Sequence, residues 1–144
     1  MMTSSELDSF IGRELNYPDS QVVDAKYSLI DKDCFFDECA RILQTDLFSF
    51  RARYRKEVFD CDDFALLTVA ILRLAYANTK DRPEGTALAV GYMFYESEQG
   101  PHAIIFAVCR SKSGERELVF MEPQTQLEIT LTKDEKASTR FYYV

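Results

Sequence analysis

Tryptophan is absent, histidine occurs once, and 144 residues hold only five glycines and four prolines. The four cysteines are Cys34, Cys39, Cys61 and Cys109, and none forms a C-x-x-C pair. A single imidazole with no paired thiols argues against a structural zinc cage. In a reducing cytoplasm, the expected setting, the thiols stay free. Cys34, Cys39 and Cys109 then read as small core hydrophobes. Positive charge is also short: 17 Lys and Arg stand against 24 Asp and Glu, a net charge of -7. That balance argues against a nucleic-acid partner. The one basic run, Arg51, Arg53, Arg55 and Lys56, reads as a solvated face. No apolar stretch reaches membrane-spanning length, and Met1 to Asp19 lacks a basic start followed by an apolar run. Neither a membrane partner nor a secretory signal is expected. No repeat or linker is visible, so residues 1–144 are expected to form a single domain with its own core.

What is present has helical spacing first and strand spacing later. Leu7, Phe10, Ile11 and Leu15 fall near one helical face, with Asn16-Tyr17-Pro18-Asp19 as a stop. Phe35, Phe36, Cys39, Ile42, Leu43 and Leu47 predict a second helix over Cys34 to Phe48. The strongest helix runs from Cys61 to Ala77. Asp60 stands at its N-cap position, Asp63 at the capping-box position, and its apolar stripe is wide enough to predict cover on most sides. Thr86–Tyr95, His102–Arg110 and Glu117–Met121 read as strands, and Leu127–Leu131 and Phe141–Val144 as two more. Helices before hairpins suggest an α+β domain, with N-terminal helices packed on one face of an antiparallel sheet.

Three residues stand out on these elements. Cys61 opens a helix, where unpaired N–H groups favour a thiolate and can donate to an oxyanion. Asp62 and Asp63 oppose that thiolate, so a cationic His102 would be needed beside it. His102 opens a strand apolar on both faces. A three-residue loop, Lys112-Ser113-Gly114, pairs Ser111 with Glu115 and sets Glu122 diagonally from His102 on the same face. A two-residue loop would separate them. Thiol, imidazole and carboxylate together form the parts of a cysteine-nucleophile site. The plain alternative is an acidic helix start with a space-filling thiol and a satisfied rim histidine. Gln124 and Arg53 are candidates for lining the cleft, as is Asp62 for the oxyanion region. Asp62, Asp63 and Glu122 offer hard oxygen ligands for a divalent cation.

Asp60-Cys61-Asp62-Asp63-Phe64-Ala65, Gly100-Pro101-His102-Ala103 and Val119-Phe120-Met121-Glu122-Pro123-Gln124-Thr125 resemble the papain-like peptidase domain at the C-terminus of a fungal agglutinin. The same pattern occurs in small bacterial and phage proteins. More distantly, it is similar to bacterial transglutaminase-like cysteine peptidases. The resemblance spans Val58 to Thr125. It implies a papain-like or transglutaminase-like fold with Cys61 as nucleophile, His102 as base and acid, and Glu122 as the orienting carboxylate. It also implies a calcium dependence with Asp62 or Asp63 as ligands, although the residues themselves require no cofactor. With no tryptophan, Tyr or Phe would have to support His102.

These readings lead to an enzyme that hydrolyses amide bonds of a peptide or protein substrate. A transferase using the same residues is one alternative. A catalytically silent, papain-fold binding or regulatory protein is another. A metal-dependent process centred on Asp62, Asp63 and Glu122 is a third.

Overall fold

The computed structural model describes residues 1–42, 44–45, 55–56 and 60–144. Arg53, and Leu43 and Leu47 of the expected second helix, lie outside the described residues. Strand β7 is Gly100–Arg110. Its residues from Ala103 to Cys109 are buried without exception, so neither face can be left to water. Ala103, Ile105, Ala107 and Cys109 point into one core; Ile104, Phe106 and Val108 point into another. The period-two alternation of a strand divides the core in this way.

β7 pairs antiparallel with β6 (Val90–Ser97) and with β8 (Arg116–Glu122). β9 (Leu127–Ile129) closes one edge. Beyond β6 come β10 (Phe141–Tyr143) and β2 (Asp19–Gln21), which run parallel to each other. β4 (Ile30–Asp31) pairs parallel with β7. A small second sheet holds β1 (Met2–Thr3), β3 (Lys26–Ser28) and β5 (Ala87–Leu88). The chain changes sheets at Ala89, so the single expected strand over Thr86–Tyr95 is two. At Gly91, β6 approaches β10 so closely that a Cβ would lie 2.0 Å from the Tyr143 carbonyl oxygen.

Helix α1 (Ser4–Leu15) packs Leu7, Ile11 and Leu15 into the core of Ile104 and Phe106. Thr3 caps it with Glu6 as box partner, and Asn16 ends it in the left-handed conformation at φ 62°. α2 (Lys32–Ile42) and α3 (Cys61–Ala77) cover the other face through Phe35, Cys39 and Ile42 and through Phe64, Ala65, Val69 and Leu72. Burying Phe64, Val69 and Leu72 contributes about 1.5–3 kcal/mol each, which fixes α3 against the sheet and with it the position of Cys61. A short α4 (Lys133–Ala137) lies near β6 and α1, with Lys136 over the Phe120 ring at 5.6 Å.

Two expectations are corrected here. Helices flank both faces of a mixed sheet rather than one face of an antiparallel one, because β7 is apolar on both sides and each side needs cover. The apolar stripe read for α3 is not wholly buried: Leu66 and Leu74, on its one open side, are 53% and 63% exposed. No described helix is long and apolar enough to cross a membrane.

Candidate functional site

Cys61 is the first residue of α3 and is half-buried. Asp63 accepts the Asp60 N–H at 3.2 Å, so its carboxylate is engaged in capping the start of the helix. The backbone N–H of Ala103, on β7, acts electrostatically on the Cys61 thiol. Burial pushes this thiol above its ordinary pKa. The Ala103 N–H opposes the rise, and the carboxylates of Asp60 and Asp62 add to it. The net effect favours the neutral thiol.

His102 lies opposite Tyr95 on β6, and the two rings meet edge to face at 5.9 Å. The β7–β8 turn uses the three-residue connection: Arg110 pairs with Arg116, Ser111 N–H donates to the Glu115 carbonyl at 2.9 Å, and Gly114 sits at φ 86°. Glu122 therefore ends β8 on the face of His102, and His102 Nε2 meets Glu122 Oε2 at 2.6 Å. The other oxygen, Oε1, accepts the Gln124 N–H at 3.1 Å.

Cys61, His102 and Gln124 line one cleft of about 340 Å³ with Ser97, Gln99 and Pro101. Glu122 stands behind His102. Asp62 is exposed, and its carboxyl is raised above the usual range by a hydrogen bond with Asp60 and then by burial. Ser97, Gln99 and Pro101 were not singled out in the sequence. Their place follows from the β6–β7 hairpin, in which Ser97 pairs with Gly100 and the turn at Glu98 and Gln99 leaves all three at one rim. A larger cleft of about 900 Å³ lies between the start of α2 and the β7–β8 turn. Its cations are already paired, Lys32 with Glu117 at 2.9 Å, Arg110 with Asp31 at 3.3 Å and Lys112 with Asp33 at 3.3 Å. It brings together no comparable set of reactive groups.

Asp60, Cys61 and Asp62 offer ligand atoms within 4.8 Å of one another. Two carboxylates and a soft thiol do not make a calcium cage, which takes six to eight oxygens. With Asp63 engaged in the helix cap, the expected Asp62–Asp63 pair is not the grouping found.

Two solved structures resemble the chain closely in fold. One is a PSL1a–E64 complex, with a TM-score of 0.76 and 23% identity over 99% of this chain and 51% of that one. The other is the Polyporus squamosus lectin bound to the human-type influenza-binding epitope Neu5Acα2-6Galβ1-4GlcNAc. It has a TM-score of 0.74 and 22% identity, over 99% of this chain and 49% of that one. The chain thus spans about half the length of the solved chains it matches. No curated protein sequence matches it.

These findings correct the sequence reading. The fold is shared with about half of the Polyporus lectin chain, so the expectation of a papain-like or transglutaminase-like peptidase fold does not stand. The cysteine hydrolase and the transferase sharing its residues fall with it. So does the silent papain-fold alternative, as to its fold. The similarity is to agglutinins and lectins, and burial together with Asp60 and Asp62 raises the Cys61 thiol above its ordinary pKa. The Polyporus lectin is solved with a glycan. The Agglutinin C-terminal family model matches residues 41–128, more than half of the sequence, and the chain belongs to that family.

Proposed function

We propose that this domain is a binding module that takes a neutral, hydroxyl-rich ligand of the saccharide class in the Cys61–His102–Gln124 cleft. The carrying observation is the chemistry of the lining. Among its described residues are two primary amides, a hydroxyl, an imidazole and a thiol, and no lysine, arginine or carboxylate. Amides both donate and accept, which suits vicinal hydroxyls; a carboxylate on the ligand would meet no cation there. Its volume is at the small end of ligand pockets. The glycan held by the Polyporus lectin supports the class of ligand. Cys61, His102 and Glu122 form the framework of this site, with Gln124 a ligand contact. The four free cysteines are consistent with a cytoplasmic setting.

The test is calorimetric titration with Galβ1-4GlcNAc and with its α2-6-sialylated form. Both should bind, with the neutral disaccharide supplying most of the affinity. His102→Ala and Gln124→Ala should each weaken binding about fivefold or more, the loss of one hydrogen bond. Absence of binding at millimolar concentration, or affinity indifferent to both substitutions, would overturn the reading.

A further inference from the structure

Gln126 is conspicuous because two unfavourable features fall on one residue. It is a non-glycine residue at φ 60°, in the left-handed region. Its side chain is buried, with 6% of the residue exposed, and its Oε1 has no hydrogen-bond partner among the described residues. Local costs of this kind persist where the surrounding structure needs the geometry. Here the geometry belongs to the Glu122–Gln126 turn between β8 and β9. The Gln126 N–H donates to the Glu122 carbonyl at 2.8 Å, and Gln126 Nε2 donates to the Pro123 carbonyl at 2.6 Å. The turn so held aims the Gln124 N–H back at Glu122 Oε1 and leaves Oε2 on His102 Nε2.

An ionised carboxylate only accepts hydrogen bonds, so the proton of the neutral imidazole resides on Nε2 and Nδ1 is left as an acceptor. We infer that Gln126, through the turn it holds, is a positioning residue that fixes the His102 tautomer, so that the cleft presents an acceptor to a ligand hydroxyl. Gln126 itself does not line the cleft. The consequence for the ligand rests on the saccharide reading; the control of the tautomer does not.

The experiment is nitrogen-15 NMR of the single imidazole in the full chain, for wild type, Gln126→Met and Gln126→Gly. Methionine keeps the bulk and removes both the donor and the orphan acceptor, while glycine relieves the backbone and removes the side chain. Wild type should show the Nε2–H tautomer. Both variants should shift towards Nδ1–H, with Galβ1-4GlcNAc bound at least about fivefold more weakly. Folded variants that keep the wild-type tautomer would reduce Gln126 to a structural role and overturn the inference. An Nδ1–H tautomer in wild type would overturn it even if neither variant folds. A tautomer shift in protein that binds no saccharide would sink the ligand reading alone.

Discussion

Alkylation of Cys61 is the sharpest test of the electrostatics at the start of α3. An unperturbed thiol is roughly 3% thiolate at pH 7. Burial and two acids push Cys61 the other way, so its thiolate population should be smaller still. The contribution of the acids can be sized from geometry. Each lies within 4.8 Å of the sulfur at its nearest ligand atom. With the dielectric of water, appropriate to a site this open, a charge at that distance opposes a thiolate by about 0.9 kcal/mol, a factor of about four. Labelling of intact protein with iodoacetamide, quantified by peptide mass spectrometry, should therefore be slow at pH 7. It should rise close to tenfold per pH unit through pH 9. Asp62→Asn should accelerate it about fourfold at pH 8, and His102→Ala should change it little. Rapid labelling at pH 6 that collapses in His102→Ala would reveal a thiolate–imidazolium pair. That result would refute the neutral-thiol assignment, and the non-catalytic reading of the cleft would lose its electrostatic support.

Two further outcomes follow from the packing. Gly91→Ala should destabilise the domain by about 1–3 kcal/mol or more, because the added carbon meets the Tyr143 backbone and the buried Phe106 ring. A thermal melt should fall by about 4 °C per kcal/mol, and an unchanged melt would show that β6 and β10 can separate without cost. At alkaline pH, burial holds Cys109 up to about 12, above its usual 9.0. The unfolded chain loses this proton first, so the stability tied to Cys109 is intact below pH 9 and declines between pH 9 and 12, by up to about 1.4 kcal/mol per pH unit. Urea melts of Cys109→Ala should start from lower stability but lose it less steeply over that window; equal slopes would exclude this group as a cause.

How much of this was legible depended on whether a signal was local. The Cys61–Ala77 boundaries were readable because Asp60, Asp63 and a long apolar stripe agree within one element. The turn arithmetic placed Glu122 near His102 because strand register follows from loop length. Short edge strands were not readable: β1, β2 and β4 have two or three residues each, too few for any alternation to register. Helix α4 was missed although Thr132 and Glu135 form a capping box, a pattern present in the sequence as Thr-Lys-Asp-Glu. Its helical residues carry no apolar stripe, so periodicity alone could not find it. Tyr92 and Tyr95 face opposite cores, with Tyr95 buried against His102 and Tyr92 stacked on Tyr143 at 5.5 Å. The function suffered most, since chemically suggestive residues say what could react, whereas ionisation depends on burial and neighbours fixed only by the fold.

The place of β10 has a consequence for how the protein is made. This last of the described strands inserts between β6 and β2, and Val144 then binds backward, accepting from Val23 N–H and Tyr27 Oη and donating to the Gln21 carbonyl, each at 3.0 Å. During synthesis, β6, β7 and β8 are complete at Glu122, before β10 begins at Phe141. Until it does, β6 has a bare hydrogen-bonding edge, and Tyr92 and Phe94 lack the aromatic partners they later find in Tyr143 and Phe141. Between completion of β8 and arrival of β10 the chain therefore carries a sticky, half-built sheet, the stage at which it is most in need of a chaperone.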